Sequence, residues 1–83
     1  MDVLVTATAL AEFTEIPRTI QARVLGLVSR LEHWPRVSGA KGLSGNLAGH
    51  FRLRTGDYRV QFRVEKSVVI VERIGHRDGF YDD

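Results

Sequence analysis

The carboxy-terminal half of the chain alternates between apolar and polar residues in three successive runs, and this pattern restricts the fold more than any other feature. The runs cover His50–Thr55, Tyr58–Glu65 and Val68–Gly75. Only Gly56-Asp57 and Lys66-Ser67 separate them, and two residues is the length of a tight hairpin loop. The pattern therefore predicts three antiparallel strands with one apolar face and one polar face.

The first loop sets the predicted register of the first hairpin. Glycine precedes aspartate in Gly56-Asp57, as a type II′ turn prefers. A two-residue loop then places Arg54 opposite Arg59 on the polar face of the sheet. Because like charges directly opposite one another destabilise a sheet, this arginine pair indicates that the face binds an anion.

The second loop sets the register of the second hairpin in the same way. A two-residue loop at Lys66-Ser67 pairs Gln61 with Glu72. The carboxylate of Glu72 is then predicted to lie on the arginine-bearing face. There it is expected to offset the charge of Arg59 or Arg63.

The amino-terminal half predicts a short strand and two helices. A first strand is predicted at Val3–Val5. Thr8 is the predicted N-cap of a first helix, whose apolar stripe contains four residues: Ala9, Leu10, Phe13 and Ile16. Pro17 is expected to open a second helix, in which apolar residues recur at helical spacing from Ile20 to Leu31.

These elements predict an α+β fold in the order β-α-α-β-β-β. The two helices are expected to form an antiparallel hairpin packed on one face of a small, mainly antiparallel sheet. Residues 36–48 contain three glycines and two serines and are expected to form a loop. A chain of 83 residues has room for one small core, so residues 1–83 are expected to form a single domain.

Composition and motifs argue against several classes of protein. The chain has no cysteine, so neither a disulfide framework nor a thiolate metal site is available. Its longest uninterrupted apolar run, Val68–Val71, is far too short to cross a bilayer, and the amino terminus lacks the basic region of a signal peptide. We therefore expect a cytoplasmic protein with no membrane partner. No phosphate-binding loop and no metal-ligand motif is present, so no cofactor and no metal are expected.

Basic residues concentrate on the polar face of the predicted sheet. They are His50, Arg52, Arg54, Arg59 and Arg63, and the whole segment from Arg36 to Arg63 contains six lysines and arginines against a single acid, Asp57. Arginine predominates, and its planar guanidinium binds phosphate in a bidentate manner. A solvated basic surface is the alternative, but the opposed Arg54 and Arg59 favour a site for a polyanion.

RNA is a polyanion that carries its own nucleophile, the ribose 2′-hydroxyl. Cleavage requires removal of the hydroxyl proton, stabilisation of the charge on the phosphate, and departure of the 5′-oxygen. Arginines directed at the phosphate supply the stabilisation. His50, His76 and Tyr81 are candidates for the proton transfers, and the sequence leaves open which of them acts.

Several short motifs resemble those of the RelE toxins of the RelE/ParE superfamily, from type II toxin–antitoxin systems. They are Leu43-Ser44-Gly45, Arg52-Leu53-Arg54, Gly56-Asp57-Tyr58-Arg59, and Gly75-His76-Arg77 followed by Tyr81. The resemblance extends over essentially the whole chain. It implies a metal-independent endoribonuclease that cuts mRNA, in many cases on the ribosome, and a cognate antitoxin that wraps the toxin.

The resemblance also implies roles for individual residues. The implied catalytic set is His50, Arg52, Arg59, Arg77 and Tyr81. Apart from the resemblance, the other basic residues near this face are expected to bind RNA, namely Arg54, Arg63, His76 and Lys41. Arginines in such enzymes stabilise the phosphate, and the tyrosine orients or activates the nucleophile. His50 stands where a lysine is common, and a histidine, with an ordinary pKa of about 6.5, can serve as a base near neutral pH.

Two alternative functions remain open. The first is inhibition of DNA gyrase, the activity of the ParE branch, which has no need of a phosphate-directed arginine and a tyrosine in the tail. The second is RNA binding without catalysis. Such a protein would bind RNA with a steep dependence on salt and leave it intact.

Overall fold

The computed structural model describes residues 1–80, and five strands in these residues form one sheet. The strands are β1 (Asp2–Val5), β2 (Lys41–Gly42), β3 (His50–Thr55), β4 (Tyr58–Glu65) and β5 (Val68–His76). Their order across the sheet is β1-β5-β4-β3-β2. β1 runs parallel to β5, and the other neighbouring strands are antiparallel. The α+β prediction is confirmed, with the two-residue strand β2 added inside the segment predicted to be a loop.

Two helices pack on one face of this sheet, α1 (Ala7–Glu15) and α2 (Arg18–Arg30). The N-cap of α1 is Thr6 and not Thr8, because Oγ1 of Thr6 accepts a hydrogen bond from the backbone N–H of Ala9 at 3.1 Å. The backbone N–H of Thr6 also donates to the carbonyl of Val71 at 3.0 Å. The start of α1 is thereby fixed to β5.

The hydrophobic core lies between the helices and the sheet. Phe62 is fully buried, and its ring centroid lies 5.3 Å from that of Trp34 and 5.6 Å from that of Phe51. Leu10, predicted to belong to the buried stripe of α1, is instead 57% exposed. The buried apolar residues are Ala9, Val24, Leu27, Leu31, Leu53, Val60, Phe62, Val69, Val71 and Ile74.

The hairpin of β3 and β4 has the predicted register. Arg54 lies opposite Arg59, and Leu53 lies opposite Val60 on the core side. Gly56 has a φ of 58°, a left-handed conformation that glycine adopts without strain, as the first position of a type II′ turn requires. Loop length and alternation therefore predicted this hairpin correctly.

The hairpin of β4 and β5 contains a β-bulge that was not predicted. The expected pairing of Gln61 with Glu72 is wrong, since Gln61 lies opposite Arg73 and Glu72 is the extra residue. Val71 and Ile74 are both buried in the core although three positions separate them. Strict alternation cannot place both on one face, and the bulge resolves this conflict.

Candidate nucleic-acid interface

The face of the sheet opposite the helices carries most of the predicted site residues. Residues paired across antiparallel strands share a face, so the pairs of Lys41 with Arg52, Arg54 with Arg59 and His50 with Arg63 all lie on this side. We call this surface the basic face. It consists of Lys41, His50, Arg52, Arg54, Arg59 and Arg63.

Two arginines of the basic face are buried. Arg52 is 9% exposed and Arg59 is 8% exposed, so these side chains are held within the surface and do not extend into solvent. Burial lowers the pKa of Arg52, and the neighbouring charges of Arg54 and Arg59 lower it further. The centre of the basic face therefore brings several positive charges close together.

The turn between β3 and β4 positions two of the predicted catalytic arginines. The guanidinium of Arg59 donates to the carbonyl of Gly56 at 3.1 Å. The backbone N–H of Arg77 donates to the carbonyl of Asp57 at 2.7 Å, and Nε of Arg77 lies 3.8 Å from a carboxylate oxygen of Asp57. Arg77 follows the end of β5, in a short 3-10 turn, and its side chain is 59% exposed. One turn thus brings Arg59 and Arg77 to the same end of the basic face.

At the opposite end of the basic face, the carboxylate of Glu72 contacts three polar side chains. Nδ1 of His50 and Nε2 of Gln61 both hydrogen-bond to its Oε1, the latter at 3.2 Å. Arg63 donates to its Oε2 at 2.8 Å. The predicted contact of Glu72 with Arg63 is confirmed, whereas the hydrogen bonds of Arg59 found within residues 1–80 go to carbonyls of the turn.

These contacts determine the charge of Glu72. Burial raises the pKa of this carboxyl, but hydrogen bonds from His50, Gln61 and Arg63 outweigh burial and lower the pKa below its ordinary value. The hydrogen bond to Glu72 is in turn the main cause of the raised pKa of Arg63. At neutral pH, Glu72 is therefore an ionised acceptor surrounded by donors.

His76, predicted to bind RNA, lies apart from the basic face. It pairs with Tyr58 across the sheet, and the two rings meet edge to face with centroids 5.2 Å apart. Together with Glu12 and Glu15 of α1, it lines a cavity of about 350 Å³. His76 thus faces the helix side of the sheet.

Tyr81, predicted to be catalytic, lies outside the described residues. Within residues 1–80, no group of three or more histidine and acidic side chains is arranged to hold a metal ion. In the same part of the chain, neither helix is long and apolar enough to span a bilayer.

Sequence reasoning overlooked two residues of this surface. Gln61 is 6% exposed and occupies the middle of the sheet, where it contacts Glu72. Its position between Arg59 and Arg63 in the alternating run was the available signal. Asp57, the single acid among the basic residues from 36 to 63, was given no part in the site, although it contacts Arg77 through its carbonyl and its carboxylate.

Comparison with known families decides the class of this protein. A family model described as the ParE toxin of type II toxin–antitoxin systems matches residues 3–79. The chain belongs to this toxin family. A search of curated proteins found no match to the toxin.

Solved structures of related toxins have the same fold. The RelBE2 toxin–antitoxin complex from Mycobacterium tuberculosis shares 29% identity with a TM-score of 0.78, over 92% of this toxin and 96% of that chain. The RelB–RelE complex from Methanococcus jannaschii shares 20% identity with a TM-score of 0.77, over 92% of each chain. The isolated RelE toxin of E. coli shares 19% identity with a TM-score of 0.74, over 90% of this toxin and 82% of that chain. The family match and the fold together place the toxin in the RelE/ParE superfamily.

Proposed function

We propose that the toxin is an endoribonuclease that cuts mRNA on the ribosome through attack of the ribose 2′-hydroxyl. The convergence of Arg59 and Arg77 on one hairpin turn carries this proposal. A phosphate at that end of the basic face would meet the guanidinium groups of Arg59 and Arg77. The first is hydrogen-bonded to the turn, and the second belongs to a residue whose backbone is hydrogen-bonded to the turn. Fixed donors directed at a phosphate stabilise the charge that develops on it during cleavage.

The rest of the basic face supports binding of an extended RNA strand. Alternate residues of a strand lie about 6.6 Å apart, so His50, Arg52 and Arg54 form a row about 13 Å long on β3. Such a row lets one RNA strand contact several basic side chains at once. We assign Arg54, Arg63 and Lys41 to RNA binding, Arg52 to the phosphate beside His50, and Tyr81 to the nucleophile, as in the RelE toxins.

We also propose a cognate antitoxin as the natural partner. Membership in a type II toxin family supports this, and so do the toxin–antitoxin complexes among the similar structures. An antitoxin that covers the basic face would block access of RNA to both of its ends.

Induced expression tests the ribonuclease proposal. The wild-type chain should arrest translation and produce mapped mRNA cuts, and Arg59→Ala or Arg77→Ala should relieve both effects. Arg23→Ala, at an exposed position of α2, is the matched control and should remain fully toxic. Full toxicity and unchanged cuts in both site variants would contradict the proposal.

Inhibition of DNA gyrase is the second candidate, because the matching family model is named for ParE. Supercoiling by purified gyrase in the presence of the toxin distinguishes the two activities. We expect supercoiling to continue unchanged while mRNA on ribosomes is cut. Inhibited supercoiling with intact mRNA would instead establish the gyrase function.

A further inference from the structure

The hydrogen bond between His50 and Glu72 joins two strands that are not neighbours. His50 lies on β3 and Glu72 on β5, with β4 between them, so the two backbones are about 9.6 Å apart across the sheet. The β-bulge places Glu72 between two cross-strand pairs, Phe62 with Val71 and Gln61 with Arg73. From that position its carboxylate reaches across β4 to Nδ1 of His50.

Two further donors fix this carboxylate in place. Gln61 donates to the same oxygen as His50, and Arg63 donates to the other oxygen. The side chain of Glu72 is only 16% exposed. A carboxylate held by two donors of β4 has a defined orientation, and it in turn orients the imidazole that it binds.

The charge of Glu72 determines which nitrogen of His50 carries the proton. An ionised carboxylate only accepts hydrogen bonds, so Nδ1 of neutral His50 must be the protonated nitrogen. The lone pair then resides on Nε2, on the opposite side of the ring. Among residues 1–80, no hydrogen bond to Nε2 of His50 is found, and its side chain is 25% exposed. His50 is therefore a partly exposed imidazole of the basic face whose Nε2 can accept a proton.

We propose that Glu72 and His50 form a dyad in which Nε2 of His50 removes the proton of the ribose 2′-hydroxyl. Glu72 is the positioning residue that fixes the tautomer and stabilises the imidazolium that forms. The inference rests on the proposed ribonuclease function and assigns the proton transfer within it. The 2′-oxygen forms a bond to phosphorus, the bond from phosphorus to the 5′-oxygen breaks, and that oxygen takes a proton from water. The products are a 2′,3′-cyclic phosphate and a 5′-hydroxyl.

Nuclear magnetic resonance of the wild-type toxin tests the geometry without any variant. Long-range correlations between ring protons and nitrogens at about pH 8, above the ordinary histidine pKa, report the tautomer of each histidine. Loss of one signal set in His50→Gln assigns His50 among the three histidines. We expect the tautomer protonated at Nδ1. The tautomer protonated at Nε2 would overturn the dyad.

Kinetics on a ribosome-bound mRNA test the role of Glu72. Glu72→Gln keeps the shape of the side chain and should lower kcat by about 10- to 100-fold with KM nearly unchanged, as for other groups that orient a catalytic residue. Glu65→Gln is the matched control, because Glu65 also contacts Arg63, at 3.4 Å, and its replacement removes the same charge. It should cut within about twofold of wild type, the effect of a small surface change. A Glu72→Gln variant that cuts as fast as Glu65→Gln would refute the inference.

A double variant separates positioning from a merely structural role. If Glu72 acts through His50, then Glu72→Gln should have no further effect on the rate in a variant that already lacks the imidazole. The double variant should therefore cut at the rate of His50→Ala alone. Multiplied losses would show that Glu72 acts independently and would overturn the dyad. If the wild-type toxin cuts no RNA, the ribonuclease function fails and the dyad fails with it. If wild type and Glu72→Gln cut equally well, only the dyad fails.

Discussion

Replacing Arg54 with glutamine should make the free toxin more stable while weakening its binding to RNA. Arg54 lies directly opposite Arg59, and the two contribute to the lowered pKa of the buried Arg52. Glutamine keeps a polar side chain at this exposed position and removes the charge. If the proposed RNA binding is correct, the opposed pair lowers the stability of the free protein and favours a bound anion.

The size of the expected gain in stability follows from the opposed pair of Arg54 and Arg59. Like charges directly opposite on neighbouring strands cost about 0.2–1 kcal/mol. A chain of 83 residues unfolds with an entropy of about 170 cal/mol/K, so a gain of about 0.5 kcal/mol raises Tm by about 3 °C. Charges are screened over roughly 10 Å at 0.1 M salt and roughly 3 Å at 1 M salt. The gain should therefore be largest at low salt and nearly vanish at about 1 M.

Urea unfolding at low and high salt measures this effect. Arg23→Gln, at an exposed position of α2, is the control and should change the free energy of unfolding by less than about 0.5 kcal/mol at either salt concentration. For RNA binding, the slope of log K against log salt should become shallower by about 0.7 when Arg54 is replaced, as expected for one lost phosphate contact. An Arg54→Gln variant that is less stable than wild type at low salt would refute the repulsion argument. A gain in stability at 1 M salt as large as the gain at low salt would also refute the repulsion argument.

Three further predictions concern stability. Phe62→Ala empties a fully buried site and should cost about 3–5 kcal/mol, a large part of the stability of a domain this size, which urea unfolding would measure. Because the folded-state pKa of Glu72 is lowered, its contribution to stability is present above the ordinary value of 4.5 and is lost as pH falls through the lowered pKa. The free energy of unfolding should accordingly depend less on pH below 4.5 in Glu72→Gln than in wild type. Lys66 has a φ of 54° in the second hairpin loop, so Lys66→Gly should raise Tm slightly, and a lower Tm would contradict strain at this position.

Local signals in the sequence predicted the parts of the fold that depend on loop length and alternation. The register of Arg54 opposite Arg59 follows from the two-residue loop alone, and the composition of the basic face follows from that register. The convergence of Arg59 and Arg77 depends on a hydrogen bond to the carbonyl of Asp57, which no side-chain pattern encodes. Sequence therefore predicted which residues share a face, but not how the turn holds them.

The bulge at Glu72 could not be located by counting from the second loop. Two polar residues, Glu72 and Arg73, stand between the apolar Val71 and Ile74, which shows only that the alternation is interrupted. At such a point the strand either continues with its opposite face toward the core or inserts one extra residue as a bulge. Which of the two occurs depends on which apolar residues fill the core. The two-residue strand β2 was missed for a similar reason, since it exists only because β3 offers an edge with which it pairs.

The N-cap and the exposure of Leu10 depended on tertiary contacts in the same manner. Thr6 and Thr8 are equally suitable caps in sequence, but the backbone of Thr6 is fixed by its bond to Val71. Starting the helix there leaves Leu10 directed toward solvent, whereas Ala9 is fully buried. Helical periodicity alone did not distinguish these two neighbours.

The parallel pairing of β1 with β5 has a consequence for the synthesis of the toxin. β1 is made before its partners, residues 68–71, so the sheet cannot be completed until those residues have been translated. The hairpin of β3 and β4, by contrast, needs only neighbouring residues. During translation, the nascent chain can therefore assemble the central arginine rows before the edge strand joins. The carboxylate of Glu72 and the backbone of Arg77 belong to β5 and the turn that follows it, so their contacts with β3 and with the first hairpin turn also form only after β5 has been made.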